Sequence, residues 1–528
     1  MAFRPTVRMA IDHQLVPPAR TRRGSYPIPL NAATTAGFLG RTERGPIDEP
    51  VAIESFAEYC RFFGGHFADG AVSHGVQDFF LHGGRRAVVV RVANRATRAR
   101  IDIPAEDGIL CLQARFPGRR EIMRVSIDYE QVERDDCRFN LVVQRIGASG
   151  SRLVEDQELY PLISTRPDDA RSLSSVLADS RLIALAGPVP RTRPFATPPN
   201  RPGDPYRYIN LTAIGTDGDD LTDYDIVGSD RSGTGLFAFT RGPRIDLLAI
   251  PLAAERELGT TAFVAAARFC ERKRALLIWD PPRDWQSVDA AILGSRRLDF
   301  RSGNVMTYFP RIRPRGARAR FSGGMPASGA IAGMLAQRDR RGPWSVNEDA
   351  DYSLRAALVP VLDVTARDAQ RLARYGINAF MHATGGSMRL IGRVTLGTAW
   401  QGSASSAGLE RRRLGIFILN SIEDAAAAEA KYFDGDAALL RLEGQLARFL
   451  DDLYQRGALI GSIPAQAYYL HMSFGGSETG KSDARRSIRL GFAVNEPGRF
   501  VDYRIDLDGE LAGTLQRLRA VEAQQLFS

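Results

Sequence analysis

At 528 residues the chain is too long for one hydrophobic core and predicts several domains. A 44% hydrophobic and 25% charged composition is ordinary for a globular protein and excludes a chain that is disordered throughout. The net charge of +9 is carried by arginine, because Lys273, Lys431 and Lys481 are the only lysines; it is spread along the chain without basic patches interleaved with aromatics, so no nucleic-acid partner is expected.

The first 29 residues mix Pro5, Pro17, Pro18, Pro27 and Pro29 with arginines and predict an extended arm without a core. Inside it Arg8, Met9, Ala10, Ile11 and Asp12 alternate, as a strand donated to another sheet would. The opening MAFRPTVRMAIDHQL lacks an apolar h-region, and no later segment reaches the length of a membrane span; synthesis in the cytoplasm and no membrane insertion are expected. From Thr35 an α/β pattern sets in. It comprises an apolar strand Ala36 to Leu39, a turn at Gly45-Pro46, a helix capped by Ser55 and running through Phe62, a second helix Ser73 to Leu81, and a buried strand Ala87 to Val92.

Between about 94 and 214 short alternating runs such as Ile122 to Ile127 and Phe139 to Val143 predict an inserted β-rich domain. The acidic stretch Gly215 to Asp225 invites a calcium loop, but Leu221 breaks the ligand spacing and Gly228 stands where the bidentate glutamate belongs; a capped turn before a helix is expected. Alternation resumes with a helix Thr260 to Cys270, a strand Ala275 to Asp280 and a helix Ala327 to Asp339 rich in glycine and alanine.

Thr365 to Leu396 reads as a helix and a hairpin. Thr365 caps, Asp368 completes the capping box, Ala369, Leu372 and Ala373 form the apolar stripe, and Gly376 ends the helix. Ile377 to Met381 then predicts a strand, Gly385-Gly386 a turn, and Ser387 to Leu396 a second strand. Arg412 to Asn420 predicts another strand, followed by an alanine-rich helix. Asp436 to Gln455 predicts an amphipathic helix with Leu439, Leu442, Leu446, Phe449 and Leu453 on one stripe and Arg441, Gln445, Arg448 and Asp452 opposite. Strands Ala467 to Ser473, Ser487 to Val494 and Phe500 to Ile505 complete a sheet, and Glu510 to Ser528 form a polar helix or tail.

These blocks carry a family resemblance. Tyr375-Gly376-Ile377-Asn378 with Gly392-Arg393-Val394-Thr395-Leu396 resembles the C-terminal domain of contractile tail sheath proteins of bacteriophages and related injection systems, with Ile391 in place of the family's tryptophan. Gly45-Pro46, Pro50-Val51, Ser55-Phe56, Phe63-Gly64, Phe79-Phe80 and Gly83-Gly84 followed by Val89 to Val92 resemble the family's N-terminal block. Ser328-Gly329-Ala330 with Gly333 and Gly342-Pro343-Trp344 resembles its small-residue helix, Ala327 standing where proline is usual.

The resemblance implies an α/β multidomain chain: an arm (1–29), a discontinuous α/β middle domain (30–93 with 215–358), an inserted outer domain (94–214), an α+β C-terminal domain with exchanged strands (359–509) and a tail (510–528). It implies a non-enzymatic helical homopolymer around an inner tail tube, in contact with baseplate and tail-terminator proteins, using no cofactor or metal. Arg441, Gln445, Arg448, Asp452 and Arg456 would face the tube. Arg8 to Asp12 would be the exchanged strand, and Phe500, Val501, Asp502, Tyr503, Arg504 and Ile505 would join a sheet shared between subunits.

Residues that suggest enzymes fit less well. Gly475 to Ser482 matches G-x-x-x-x-G-K-S letter for letter, but a phosphate loop leads a parallel strand into a helix, whereas Ser487 to Val494 alternates as a strand. His13, His66, His74, His82, His382 and His471 are scattered without a G-x-S-x-G elbow. Cys60, Cys111, Cys137 and Cys270 lack metal-ligand spacing and read as free thiols.

Overall fold

The computed structural model describes residues 28–522 apart from 31–33, 68–69, 133–136, 148–152, 198–207, 253–255, 317–323, 345–352, 356, 383–387, 398–407, 431–434, 474–485, 495–496 and 508–519. The chain divides into two units, 31–420 and 421–528 with the first 30 residues.

The larger unit is built on a nine-stranded sheet. β1 (Thr35–Gly40) lies third from one edge; β2 (Pro50–Ile53), α1 (Phe56–Phe63) and α2 (Ala71–Leu81) lead to β3 (Arg86–Arg91), which pairs parallel to β1 and antiparallel to β2. Ser55 caps α1 by accepting the Glu58 amide, as expected.

The chain then leaves the sheet for the inserted domain. β4 (Arg100–Ala105), β5 (Gly108–Ala114) and β9 (Ile183–Leu185) form one sheet, and β6 (Met123–Asp128), β7 (Arg138–Ile146), β8 (Val154–Ser164) and β10 (Ile209–Asn210) another, with α3 (Leu173–Ala178) before β9. Their inward faces share a separate core around Ile101, Leu112, Val125, Phe139 and Leu141. The β-rich expectation for this stretch is met in an alternating inside–outside pattern.

On returning, α4 (Asp223–Val227) begins with the capping box Thr222–Asp225, so the acidic turn is the capped turn expected. β11 (Leu247–Ala249), α5 (Thr260–Lys273), β12 (Leu276–Trp279), α6 (Val288–Arg297) and β13 (Val305–Phe309) extend the parallel sheet. A small antiparallel pair, β14 (Ile312–Pro314) and β16 (Leu358–Pro360), flanks α7 (Ser328–Asp339) and β15 (Ser353–Leu354). α8 (Ala366–Ala373), β17 (Ile377–His382) and β18 (Met388–Ile391) follow, β17 joining β13 in parallel and the hairpin carrying β15 at its edge.

Residues 365–396 thus fold as helix and hairpin, inside the larger unit's sheet. Both sheet faces are covered, one by α1, α2 and α7 around Phe38, Val89 and Ile331, the other by α4, α5 and α8 around Leu39, Val90 and Phe263. This is why the strands read as unbroken apolar runs.

α9 (Gly408–Ala430) corrects the expectation of a strand at Arg412 to Asn420: the whole segment is helical. Residues 413–420 are buried on every side, so their apolar run carries no helical stripe.

In the smaller unit, α10 (Gly435–Gln455) and the short α11 (Pro464–Ala467) precede an antiparallel sheet of β19 (Tyr468–Ser473), β20 (Arg486–Ala493), β21 (Phe500–Leu507) and β22 (Ala520–Glu522), in that order. β22 places a strand where a polar helix or tail was expected.

Candidate assembly interface

Small residues set the spacing between α2 and α7. A Cβ on Gly329 would lie 2.1 Å from the Gly75 carbonyl oxygen, so the backbone of α2 passes where α7 has no room for a side chain. The start of α7 is held from the end of β12: half-buried Asp280 accepts the Ala327 and Ser328 amides at 2.7 and 2.9 Å and the Ser328 hydroxyl at 2.6 Å. Burial raises the Asp280 carboxyl, while the Ser328 hydroxyl and the nearby Arg311 oppose the rise.

Asn378 ties the hairpin together. Its amide donates to the Thr307 and Val394 carbonyls at 3.1 and 2.9 Å, and its oxygen accepts the Val394 amide at 2.9 Å. At the far end of α7, Arg338 pairs with Glu410 at 3.3 Å, and Asp339 accepts from Thr34 and Arg413.

In the smaller unit the stripe of α10 is nearly as expected. Leu442, Leu446, Phe449, Leu450 and Leu453 are buried; Arg441, Arg448, Asp452 and Arg456 are exposed. Gln445 departs from the expected exposed set: it is 3% exposed, on the shoulder of the apolar face. The helix ends in a Schellman cap, with the Gly457 amide on the Tyr454 carbonyl and the Ala458 amide on that of Leu453, each at 2.9 Å.

α10 packs on β19, and the Tyr468 hydroxyl meets Asp451 at 3.2 Å. The apolar side of the sheet carries Met472, Ile488, Leu490 and Phe492. On the other side the Tyr469 ring covers Gly491, where a Cβ would come within 2.2 Å of it; the ring meets Phe500 edge-on at 5.2 Å, and its hydroxyl donates to Asp502 at 2.7 Å. Burial and that carboxylate push the Tyr469 phenol up to about 12.

Phe500 to Ile505 lie in β21, flanked by β20 and, from Tyr503 to Ile505, by β22. Among the described residues the outer strands of this sheet are β19 and β22, so its open backbone edges lie there and not along β21. Arg8, Met9, Ala10, Ile11 and Asp12 lie outside the described residues.

The phosphate-loop residues Gly475 to Ser482 also lie outside the described residues, but their flanks do not suit that role. β19 and β20 pair antiparallel up to Ser473 opposite Ser487, so the described flanks are the two strands of a hairpin, whereas a phosphate loop leads a parallel strand into a helix.

The carboxylates of the acidic turn serve the fold. Asp223 accepts the Gly259 and Ala262 amides, Asp217 the Arg119 amide, and Asp220 pairs with Arg256. Among the described residues no group of His, Cys, Asp or Glu is placed to hold a metal ion, no helix is long and apolar enough to cross a membrane, and none of the four cysteines is in a disulfide.

No family model matches the sequence, and a search of curated proteins returns no match. The fold does have relatives. The sheath tail protein of Listeria innocua superposes with a TM-score of 0.59 at 11% identity, over 90% of this chain and 96% of its own. A sheath tail protein of Desulfitobacterium hafniense superposes with a TM-score of 0.53 at 15% identity, over 92% and 99%. Over about nine tenths of its length the chain shares the mixed α/β multidomain fold of these two sheath tail proteins.

Proposed function

We propose that this protein is the structural subunit of a contractile tail sheath: many copies stack as a helical sleeve around an inner tube, and the sleeve shortens to drive that tube through a target envelope. The observation that supports this most is the likeness to two sheath tail proteins along nearly the full length of all three chains. Repetition of a contact that does not close on itself generates an open helix. The outer edges of β19 and β22, open among the described residues, suit addition of backbone from neighbouring copies, with residues 8–12 of the arm as the donated strand.

In this scheme α10 turns Arg441, Arg448, Asp452 and Arg456 toward the tube, baseplate proteins hold one end of the sleeve and a terminator the other. The extended sleeve is trapped at assembly, and a baseplate trigger releases it to a tighter helix. Burial of about 200 Å² more apolar surface per subunit contributes about 5 kcal/mol, which a long sleeve multiplies by its copy number. No nucleotide enters the cycle.

Negative-stain microscopy of the overexpressed protein tests the proposal. Contracted tubes are expected from the intact chain, and folded monomers after removal of residues 1–20. A chain that stays monodisperse under all conditions and hydrolyses ATP in a manner abolished by Lys481→Ala overturns it.

A further inference from the structure

His82, at the C-terminal end of α2, is 4% exposed and uses both ring nitrogens. Nδ1 lies 2.7 Å from the Asp78 carbonyl oxygen, and Nε2 lies 3.1 Å from the Arg355 amide nitrogen. A carbonyl accepts and an amide donates, so the ring is held as one neutral tautomer, with the proton on Nδ1 and the lone pair on Nε2. Arg355 directly follows β15, the two-residue strand that closes the outer edge of β18 through Ser353 opposite Arg389 and Leu354 opposite Met388. Among the described residues β15 pairs with β18 over two positions only, with Leu354 buried in the core, so the bond from His82 adds a fastening next to a short ladder.

We propose that His82 is a proton-operated latch, holding β15 over the edge of β18 while the ring is neutral and releasing it when Nε2 takes a proton. Protonation turns the acceptor at Nε2 into a second N–H facing the Arg355 N–H. One hydrogen bond is lost and a cation is left buried against a donor.

The surroundings favour the neutral ring. Burial lowers its pKa most; the Asp78 carbonyl opposes this, and the charge of Arg355 lowers it further. From α2 the nearby titratable group is Asp78, which burial pushes up to about 7. From α7 the neighbours are uncharged, Gly333 against His82 and Gln337 against Gly83, and that helix's only ionisable residues, Arg338 and Asp339, are engaged by Glu410 and Arg413.

The sign follows from the lowered pKa. The folded ring titrates below the value of about 6.5 that it has when released, so the latch is fully closed above that pH and weakens as pH falls through it toward the folded value. Release bares the backbone N–H and C=O groups of β18, an edge that a further strand could then occupy.

Hydrogen exchange on the full chain at pH 7.5 and 5.5, corrected for intrinsic rates, tests the latch. Exchange of the Arg355 amide should rise about tenfold on acidification, the limit for one proton near one unit below the released pKa. His82→Gln supplies a non-titrating acceptor for the same amide and should abolish the pH response to within about twofold, whereas His82→Phe should exchange fast at both pH values. Asp78→Asn should keep the response, since the ring and not the carboxylate carries the switch.

Absence of the response in the unaltered protein, or its survival in His82→Gln, overturns the proposal. NMR titration of the His82 ring in the unaltered chain gives a check that needs no variant: the rise in exchange must begin near the released value of about 6.5 and level off where the folded ring titrates, and a rise that does not level off there also overturns the proposal.

Discussion

At the scale of single residues, Asp280 joins a strand end to a helix start with three donors within 3 Å. Asp280→Ala leaves the first amides of α7 buried without a partner. We expect a loss of about 2–4 kcal/mol, read as a lower denaturant midpoint with an unchanged slope. Gly329→Ala acts through sterics instead: its methyl group would meet the Gly75 carbonyl at 2.1 Å, forcing α2 and α7 apart at a cost of about 1–3 kcal/mol. A cap-preserving Asp280→Glu separates the two mechanisms, because it keeps the charge yet lengthens the reach. Neither partner in these contacts is near in sequence: Asp280 lies 47 and 48 residues from the groups it holds, so local patterns show a glycine-rich helix without showing what fixes it.

At the scale of elements, what was legible followed from local chemistry. The capping boxes Thr222–Asp225 and Thr365–Asp368 and the Ser55 cap each announce a helix within four residues, and each helix is there. The segment at Arg412 to Asn420 was misread for the reason that made the central strands easy to read: a fully buried run has no polar face, and period alone cannot tell a buried helix from a buried strand. Gln445 shows the complementary difficulty. Its angular place beside Arg441 and Arg448 is right, but a position on the shoulder of a stripe is decided by what packs there.

Those two arginines carry a prediction at this scale. Arg441→Glu with Arg448→Glu changes two exposed positions of α10, where each ion pair is worth at most about 1 kcal/mol, so the chain should remain folded with an unchanged denaturant slope. Co-sedimentation with the inner tube protein should fall at least tenfold and lose its salt dependence if this stripe faces the tube. Unaltered co-sedimentation would assign the tube to another face.

At the scale of the whole larger unit, the inserted domain is fastened to the central sheet by more than its two connecting segments. Arg91 on β3 is 1% exposed, and its Nη1 donates to the Gly45 carbonyl of the core and the Pro117 carbonyl of the insertion, each at 2.7 Å. Burial lowers its pKa to about 10, against the pull of Asp217 and Glu121, so it remains charged at neutral pH. Around it Glu43 pairs with Arg120 at 2.8 Å and Arg44 with Glu155 at 3.1 Å, again from core to insertion.

A buried cation shared by two bodies contributes only while both are present. In the intact chain Arg91→Met should cost about 3 kcal/mol, because the Pro117 and Gly45 carbonyls and the Asp217 and Glu121 charges lose their counterpart. When residues 98–213 are replaced by a short glycine linker, Pro117 and Glu121 are gone and water reaches the guanidinium, so the same substitution should cost less than about 1 kcal/mol. The difference between the two costs is the coupling of insertion to sheet, measurable by denaturant unfolding of the four proteins. Equal costs would mean that Arg91 serves the core alone and that the insertion hangs from its connections; unequal costs would mean that any movement of the central sheet is passed to the insertion without slack.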